Sequence, residues 1–330
     1  MSDTCGWGVL ATGRIARSFA TDLREVPGAR LAAVGSRSQE SADAFARQYG
    51  DAATTAHASY AALVQDPAVD VVYVASPHAL HLEHARMAFE AGKHVLCEKP
   101  LTLNTAEAEE MVALAARHDR FLMEAMWMAC NPVIRALQDP DRFGTPRQVH
   151  ADLGFVVDRP ATDRLLDPAL GAGALLDMGI YPLTFAHLLL GEPTRLAAVA
   201  NLSESGIDLD VAVAGLHPGG AISALSASMT SFSPRTATVA TDRGTLVVPT
   251  QFHHPTYAEW TPVGGETERI EGAEPLLGSG LGNEAAEVQR CLREGLRESP
   301  LVPHAQTLSL MRQMDDIRAQ VGVRYDADGA

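Results

Sequence analysis

The sequence predicts two domains: an α/β domain built on a parallel sheet, then an α+β domain with a large, mostly antiparallel sheet that is open on one face. The chain has 330 residues, which suits two domains of ordinary size. Strand and helix patterns alternate over about the first 125 residues, as in βαβ units. Beyond that point strand patterns follow one another with little helix between them, as in antiparallel sheets.

The first 125 residues combine buried strands with amphipathic helices. The run 69–75 is continuously apolar, as expected of a strand buried on both faces. Ile15, Phe19 and Leu23 recur every four residues and mark one apolar helix face. The predicted strands are 7–10, 30–35, 69–75, 94–97 and 121–124, and the predicted helices after the first are 39–49, 81–91 and 106–117.

The remaining residues carry short strand patterns in which apolar and polar residues often alternate. Thr241-Asp242-Arg243-Gly244 has the composition of a hairpin turn. The predicted strands are 147–154, 195–202, 209–216, 221–229, 236–241 and 245–249, with helices at 172–190, near 288–296 and at 308–321. We therefore expect a first domain at 1–125 and a second at 126–330. The last helix of the second domain either stays with that domain or packs against the first.

The composition excludes several classes of function. Lys+Arg 26 against Asp+Glu 41 leaves a formal net charge of −15, which does not suit a protein that binds nucleic acid or anionic membranes. The four cysteines lie far apart and form no CxxC pair, which fits a reducing cytoplasm. We predict no signal peptide at MSDTCGWG, and no membrane span near 175–190, where polar residues, glycine and proline interrupt the apolar stretch.

The turn after the first predicted strand has the composition of a phosphate-binding loop. Ala11, Gly13 and Ala16 stand at the three small-residue positions of the dinucleotide fingerprint, with alanine in place of the first glycine. Gly13 lets the backbone approach a pyrophosphate, and Arg14 and Ile15 open a helix whose free N–H groups favour an anion. The pattern predicts a Rossmann dinucleotide-binding domain. The alternative is a tight turn of the same composition that binds no cofactor.

The end of the second strand indicates which dinucleotide is bound. NAD-specific sites place an acidic residue there to bind the ribose 2′-hydroxyl. This chain has Ser36, Arg37 and Ser38 instead. An arginine flanked by hydroxyls would bind a 2′-phosphate through charge-assisted hydrogen bonds, so we predict NADP(H) over NAD(H). The alternative is that Arg37 is a solvated surface charge.

Two further loops follow predicted parallel strands, and one later segment completes a resemblance. The loops contain Ser76-Pro77-His78-Ala79-Leu80-His81 and Glu98-Lys99-Pro100, and the later segment, 173–181, is GALLDMGIY. With these motifs the sequence resembles the Gfo/Idh/MocA oxidoreductase family over nearly its whole length. The GALLDMGIY segment and ESPLVP at 298–303 are similar to the branch of dimeric dihydrodiol dehydrogenases and NADP-dependent D-xylose dehydrogenases.

The resemblance implies roles for three residues. Lys99 would be the catalytic lysine near the nicotinamide, and Asp177 would bond a substrate hydroxyl. Tyr181 stands where many relatives have histidine and this branch has tyrosine. The family also implies a cis peptide before Pro100, a form that X–Pro bonds adopt at low cost. The predicted cofactor-binding residues are Gly13, Arg14, Ile15, Ser36, Arg37, Ser38, Ser76, Pro77, His81, Glu98 and Lys99.

Alcohol oxidation requires a proton acceptor independently of any resemblance. A cofactor takes the hydride, and a side chain must take the proton. A free tyrosine has a pKa of about 10, so it needs an adjacent cation to act as a base near neutral pH. Either Lys99 supplies that cation to Tyr181, or Lys99 is itself the base. Read singly, Lys99, Asp177 and Tyr181 also suit a surface lysine, a helix cap and a core tyrosine.

One segment departs from the family pattern. Where many relatives have M-E-A-F-M-x-R-F-H-P, this chain has MEAMWMACNP at 123–132, so Ala129 replaces the arginine and Asn131 replaces the histidine. We expect Trp127 and Asn131 to contribute to the substrate pocket with Asp177 and Tyr181, although a core role for Trp127 is an equal alternative. The missing arginine puts a family-typical sugar or diol specificity in doubt.

These observations predict a cytoplasmic NADP-dependent oxidoreductase for a sugar, a cyclic polyol or a trans-dihydrodiol. The alternatives are a non-catalytic dinucleotide-binding regulator on the same fold, or a reductase of another substrate class. We predict no metal site, because His78, His81 and His84 lack an HExxH motif and a carboxylate triad. We also predict a homodimer through the second-domain sheet, because relatives pair these faces and an apolar sheet face needs cover.

Overall fold

The first sheet is parallel, as predicted. A computed structural model describes residues 4–329 of the chain. The strands of this sheet are β1 Cys5–Leu10, β2 Ala29–Gly35, β3 Thr55–His57, β4 Val71–Val74, β5 His94–Glu98 and β6 Leu122–Ala125. Their order across the sheet is β3-β2-β1-β4-β5-β6. This order is typical of doubly wound sheets, which bind ligands beyond the carboxyl ends of their strands.

Burial explains why the central strands were visible in the sequence. All four residues of β4 are buried, so the strand is apolar throughout. The edge strand β3 has exposed and half-buried residues, and the sequence analysis missed it. The helices of this part are Arg14–Asp22, Gln39–Tyr49, Tyr60–Val64, His81–Glu90, Thr105–Arg117 and Trp127–Cys130.

The division of the chain differs from the predicted single boundary at residue 125. Within the described residues, the first compact unit comprises 4–130 and also Leu276–Thr307, and the second comprises Asn131–Pro275 and 308–329. The returning segment carries helix Leu281–Arg293. The Asp22 carboxylate accepts hydrogen bonds from the backbone N–H groups of Ser279 and Leu281, at 2.8 and 3.2 Å. These bonds anchor the start of that helix to the first unit.

The second sheet has eight strands in the described part of the chain. They are β7 Pro146–Gly154, β8 Arg195–Leu202, β9 Asp208–Leu216, β10 Ile222–Ser228, β11 Ala237–Thr241, β12 Gly244–Val248, β13 Ala258–Pro262 and β14 Glu268–Ile270. The order is β14-β13-β12-β11-β7-β10-β9-β8, and all pairs are antiparallel except β7 with β10. The predicted hairpin at Thr241–Gly244 joins β11 to β12.

One face of the second sheet is covered by helix. The predicted helix at 172–190 is a π-helical turn, Leu175–Gly179, followed by α-helix Ile180–Leu190. The segment Pro168–Leu190 is long and apolar enough to cross a membrane, but 78% of its apolar 18-residue window is buried inside the structure. It is therefore the core helix of this unit. The other helices of the unit are Pro132–Ala136, Pro140–Phe143 and most of His304–Val321.

The opposite face of the second sheet is open within this chain. Exposed and buried residues alternate along β9 and β10, as a sheet with one covered face requires. On β8, Val199 is 71% exposed, although it is a strongly apolar residue. We call this exposed, mainly small and apolar surface the open sheet face; its residues are Ala197, Val199, Ala212, Ala214, Leu216, Ile222 and Ala224.

Candidate active site

The turn after β1 has the geometry of a phosphate-binding loop. Ala11 adopts φ +80°, the left-handed conformation that usually requires glycine, at the first small-residue position of the fingerprint. Gly13 caps helix Arg14–Asp22 without a side-chain hydrogen bond. A Cβ atom added to Gly13 would meet no atom within 4 Å. The packing of the protein does not require glycine there, so the open space suits the close approach of a dinucleotide pyrophosphate.

The end of β2 presents an arginine to solvent. Ser36 is buried, and the Ser38 hydroxyl caps helix Gln39–Tyr49 by accepting from the Ser41 N–H group at 3.3 Å. Arg37 is exposed between them, and no carboxylate among residues 4–329 lies within ion-pair distance of its guanidinium group. Burial raises the pKa of Tyr60, and the positive charge of Arg37 partly opposes that increase. The exposed Arg37 guanidinium group at the end of β2 is accessible to bind an anionic group of a ligand.

His81 connects two loops of the first unit. Its Nε2 atom lies 2.9 Å from the Ser76 carbonyl oxygen, and its Nδ1 atom lies 3.0 Å from the Pro100 carbonyl oxygen. The residue is 0% exposed, and burial lowers its pKa to about 4 although the carbonyl contacts oppose this change. The prediction that His81 binds the cofactor is corrected here, because a fully enclosed ring bonded to backbone is not available to a ligand.

The loop after β5 presents Lys99 at the same edge of the sheet. The Lys99–Pro100 peptide is cis, as the sequence led us to expect. The Tyr73 hydroxyl donates a hydrogen bond to the Glu98 carboxylate, which is buried. Lys99 itself is partly exposed. The sheet therefore brings the turn at Gly13 and the loops at Arg37, Ser76 and Lys99 to the carboxyl ends of neighbouring strands.

The amino-acid composition also distinguishes Lys99 from the other basic residues. The chain has 26 basic residues of the Lys and Arg types, and only Lys93 and Lys99 are lysines. Lys93 has a structural role, since its Nζ atom donates to the backbone oxygens of Asp66 and Val69 at 2.8 and 2.7 Å. A chain that uses arginine nearly everywhere keeps lysine at the site where a proton acceptor is expected.

In the second unit Asp177 and Tyr181 lie on consecutive helical turns. Asp177 belongs to the π-helical turn and is only 8% exposed, and Tyr181 follows in the first turn of the α-helix. Asp208 fixes the start of this segment by accepting from the Leu175 N–H group at 2.6 Å. A Cβ at Gly173, whose φ is +139°, would come within 2.3 Å of the same carboxylate. Glycine is therefore required at the first position of the GALLDMGIY motif, because a side chain there would collide with the Asp208 carboxylate.

Two partners of these residues were not identified from the sequence. An Arg164 guanidinium nitrogen lies 3.1 Å from the Asp177 Oδ1 atom. The ring of His253 packs against Tyr181 with 5.0 Å between centroids. Arg164 lies in an irregular loop and His253 follows the last strand predicted, so neither belongs to a periodic pattern that would have marked it.

Asn131 and Trp127 have different environments. The Asn131 side chain caps helix Pro132–Ala136 through Oδ1, and its Nδ2 group donates to the Pro255 carbonyl oxygen at 3.1 Å. Asn131 is 1% exposed, so its amide serves the packing of the second unit rather than the substrate contact that the sequence suggested. Trp127 is partly exposed in the first unit, next to Gly280.

Metal chemistry and disulfides are not indicated within the described residues. No group of three or more His, Cys, Asp or Glu side chains in residues 4–329 is placed to hold a metal ion. All four cysteines, which lie in that range, are free thiols, and three of them are buried. The candidate side chains of the first unit offer an amine and a guanidinium group, and those of the second unit offer a phenol, a carboxylate and a guanidinium group.

Comparison with protein-family models matches both parts of the chain. The model described as an oxidoreductase family with an NAD-binding Rossmann fold, GFO_IDH_MocA, matches residues 5–126. The model of the GFO/IDH/MocA C-terminal domain matches residues 133–247. The resemblance inferred from the motifs is thereby confirmed.

Two named relatives are similar to this chain over nearly the full length of both sequences. A trans-1,2-dihydrobenzene-1,2-diol dehydrogenase from Mus musculus is 35% identical to this chain. The matched region covers 98% of this chain and 98% of that relative. The protein of that name from Sus scrofa is 33% identical with the same coverage.

Solved structures share the fold. An aldose-aldose oxidoreductase from Caulobacter crescentus has a TM-score of 0.86 at 25% identity, with 97% of this chain and 98% of that chain covered. A 3-ketoreductase from Actinomadura kijaniata has a TM-score of 0.85 at 24% identity, with 98% and 99% covered. The second likeness concerns the fold alone.

Proposed function

Because the chain belongs to the Gfo/Idh/MocA oxidoreductase family, we propose that it transfers a hydride between NADP(H) and a secondary alcohol or carbonyl of a sugar, a cyclic polyol or a trans-dihydrodiol. The family makes it a dinucleotide-dependent oxidoreductase that acts on alcohol groups. The proposal adds the preference for NADP(H) and the class of substrate. The observation that carries the substrate class is the full-length similarity to trans-dihydrodiol dehydrogenases.

The carboxyl edge of the first sheet fits a dinucleotide. Open space at Gly13 and the uncapped helix start at Arg14 suit the pyrophosphate. Arg37 offers a positive charge to a 2′-phosphate, and no acidic residue stands at the end of β2 to repel it. A bound nicotinamide supplies the acceptor or donor of the hydride. The residues proposed to hold the cofactor are Gly13, Arg14, Ile15, Ser36, Arg37, Ser38, Ser76, Pro77, Glu98 and Lys99.

The proton of the reacting hydroxyl needs an acceptor from the protein. We assign it to Lys99 or Tyr181, the two groups that can exchange a proton in this chemistry. If Tyr181 accepts the proton, Lys99 serves as the cation that makes a phenolate accessible near neutral pH. In the reverse direction the same group returns the proton to the carbonyl oxygen as it becomes an alcohol.

Substrate recognition is assigned to Asp177 and Trp127. A carboxylate accepts hydrogen bonds from sugar or polyol hydroxyl groups. An indole ring offers a flat apolar surface to one face of a sugar ring or to a cyclohexadiene. The Arg164 guanidinium, 3.1 Å from the Asp177 carboxylate, orients that carboxylate through a charge-assisted hydrogen bond.

The open sheet face and the cysteine chemistry support two further proposals. A second copy of the chain that pairs its own open sheet face would bury Val199 and its apolar neighbours, so we propose a homodimer. Four free thiols suit a reducing compartment, which supports a cytoplasmic location.

A substrate screen tests the proposed function. The purified protein is incubated with NADP⁺, or separately NAD⁺, and a panel of aldoses, inositols and trans-dihydrodiols, and the formation of reduced cofactor is followed. We expect reduction of NADP⁺ with at least one secondary alcohol, faster than reduction of NAD⁺. A protein that binds NADPH but reduces no cofactor with any member of the panel would instead be the non-catalytic regulator.

A further inference from the structure

The residues that follow the last long helix are attached to the start of the GALLDMGIY segment. Helix His304–Val321 is followed by residues 323–328, which we call the anchor segment. The Tyr325 hydroxyl donates a hydrogen bond of 2.6 Å to the Ala172 carbonyl oxygen, one residue before the GALLDMGIY segment begins at Gly173. Tyr325 is 5% exposed and Ala172 is 2% exposed, so water does not compete for this bond.

The anchor segment is itself held by a buried arginine of the same unit. Arg318 is 4% exposed, and its two terminal nitrogens donate to the two carboxylate oxygens of Asp328 at 2.6 and 3.0 Å. The Asp328 carboxylate also accepts from the Tyr325 N–H group at 2.9 Å. The Arg318 guanidinium carbon lies 4.9 Å from the centre of the Tyr325 ring. A bidentate pair of charged groups fixes geometry, so these contacts hold Tyr325 in one place.

Packing alone does not account for a hydroxyl group at this position. A phenylalanine would fill nearly the same volume without the cost of burying a polar group. Burial raises the pKa of the Tyr325 hydroxyl, and the Asp208 carboxylate adds to this effect, whereas the Arg318 charge opposes it. The hydroxyl therefore keeps its proton at neutral pH and remains a hydrogen-bond donor to Ala172.

The chain between the two attachments of the GALLDMGIY segment has little rigidity of its own. Ala172 is held by the anchor segment, and the Leu175 N–H group is held by the Asp208 carboxylate at 2.6 Å. Between them Gly173 has φ +139°, and glycine restrains the backbone less than any other residue. The Asp177 N–H group donates to the Gly173 carbonyl oxygen at 3.2 Å. A change of direction at Gly173 is therefore passed on to Asp177.

We propose that Tyr325 is a positioning residue of the substrate site: its bond to Ala172 fixes the direction in which the GALLDMGIY segment leaves Gly173, and with it the position of the Asp177 carboxylate. This inference rests on the proposed function, in which Asp177 binds the alcohol. Without the bond the segment samples more orientations, so a smaller fraction of the protein presents Asp177 correctly at any moment. The apparent affinity for the substrate falls by that fraction.

Amide hydrogen exchange tests the positioning step on the whole chain, without substrate or cofactor. Tyr325→Phe keeps the ring and removes only the bond. We expect peptides that cover the GALLDMGIY segment to exchange about three- to tenfold faster, the range that one hydrogen bond supports. Wild-type exchange in this segment overturns the proposal. A rise spread evenly over the second unit also overturns it, because that result indicates a general loss of stability.

Thr241→Val is the matched control. The Thr241 hydroxyl also donates a 2.6 Å hydrogen bond to a backbone oxygen of the second unit, that of Phe143, but it is attached to the β11–β12 hairpin. We expect its loss to leave the exchange of the GALLDMGIY segment unchanged. Faster exchange of that segment in both variants would mean that any lost hydrogen bond has this effect, and the proposal would fail.

Steady-state kinetics with the alcohol found by the screen test the consequence for the substrate. In Tyr325→Phe we expect KM for the alcohol to rise about three- to tenfold with kcat unchanged. NADPH binding should be unchanged, because the residues proposed to hold the cofactor belong to the first unit. A merely structural role would lower the fraction of folded enzyme, which reduces the apparent kcat and leaves KM as it is. That pattern contradicts the proposal.

A second variant approaches the same attachment from nearer the surface. Asp328→Asn removes the charge that pairs with Arg318 and leaves the Tyr325 hydroxyl in place. It should change the exchange of the GALLDMGIY segment and KM in the same direction as Tyr325→Phe, and it decides the question if that variant does not fold. Wild-type exchange and wild-type KM in Asp328→Asn count against the proposal.

The two measurements separate this inference from the proposed function. If exchange rises in Tyr325→Phe but the wild type oxidises no alcohol, the proposed function fails and the attachment of the GALLDMGIY segment by Tyr325 stands. If turnover is found and exchange does not rise, the proposed function stands and the role of Tyr325 fails.

Discussion

The Nδ1 atom of His81 lies 3.0 Å from the carbonyl oxygen of Pro100, and its Nε2 atom lies 2.9 Å from that of Ser76. One imidazole ring therefore spans the loop after β4 and the loop that carries Lys99. Burial lowers the pKa of this ring to about 4, so the ring is neutral at physiological pH. Because a neutral imidazole carries one N–H group, it donates a hydrogen bond to one of these two carbonyl oxygens at a time.

This environment predicts a loss of stability in acid. Between pH 6.5 and 4 the unfolded His81 binds a proton that the folded ring does not, so the free energy of unfolding falls as the pH is lowered. From pH 7 to pH 5 we expect His81 to account for a loss of about 2 kcal/mol. Urea denaturation at both pH values measures it. His81→Gln should lose less stability over that interval than the wild type, and an equal loss would contradict this assignment.

Arg37 is expected to distinguish the two dinucleotides. Arg37→Ala should weaken NADPH binding roughly 10- to 100-fold, because a charge-assisted hydrogen bond to the 2′-phosphate is lost. NADH binding should change by less than about twofold, since NADH lacks that phosphate. Fluorescence titration gives both dissociation constants. Arg47→Ala, at an exposed arginine in the last turn of helix Gln39–Tyr49, is the matched control. Equal losses for both cofactors would show that Arg37 does not bind the 2′-phosphate.

The ion pair between Arg164 and Asp177 should affect the substrate rather than the cofactor. Arg164→Gln leaves the Asp177 carboxylate less firmly oriented, and we expect KM for the alcohol to rise about three- to tenfold. The effect is moderate because the Arg164 side chain is 45% exposed. Arg159→Gln, which removes a pair with Asp163 in the same loop, should leave KM unchanged. A larger effect on NADPH affinity than on KM would exclude this role.

The open sheet face should control the oligomeric state. Val199→Lys places a charge on the edge strand of this face and should convert the proposed dimer into a monomer at micromolar concentrations. Val263→Lys is the control, because Val263 is also highly exposed but follows β13, away from this face. Light scattering determines the mass of each. A wild-type protein that is monomeric throughout the micromolar range would contradict the proposed dimer.

The fold was predictable where burial imposes a regular pattern of apolar residues on the sequence. The apolar run around Val71–Val74 and the alternation in Asp208–Leu216 each indicate a strand without any knowledge of its neighbours. Thr55–His57 is too short and too polar to leave such a trace. The helix Leu281–Arg293 shows its apolar face in the sequence, but not the surface that this face meets. The Asp22 carboxylate, 259 residues before Leu281 in the sequence, helps to determine where this helix packs.

The candidate site was predictable where its residues belong to motifs. Lys99, Asp177 and Tyr181 stand in segments whose order and spacing are typical of the family. Arg164 was missed because it lies in an irregular loop, and its role appears only from its distance to Asp177. His81 was assigned to the cofactor because it lies in a loop that follows a predicted parallel strand, and Asn131 to the substrate pocket because it stands in the family segment at 123–132. Folding instead buries both and directs their side chains to backbone groups.

Lys99 is proposed to take part in the proton chemistry, and the variant Lys99→Ala tests this role. With the alcohol found by the screen, kcat and the dissociation constant of NADPH are measured for this variant and for the wild type. We predict that kcat falls roughly 10²- to 10⁴-fold, the usual contribution of a positioned acid or base, while NADPH still binds. A variant that turns over at the wild-type rate would contradict the account.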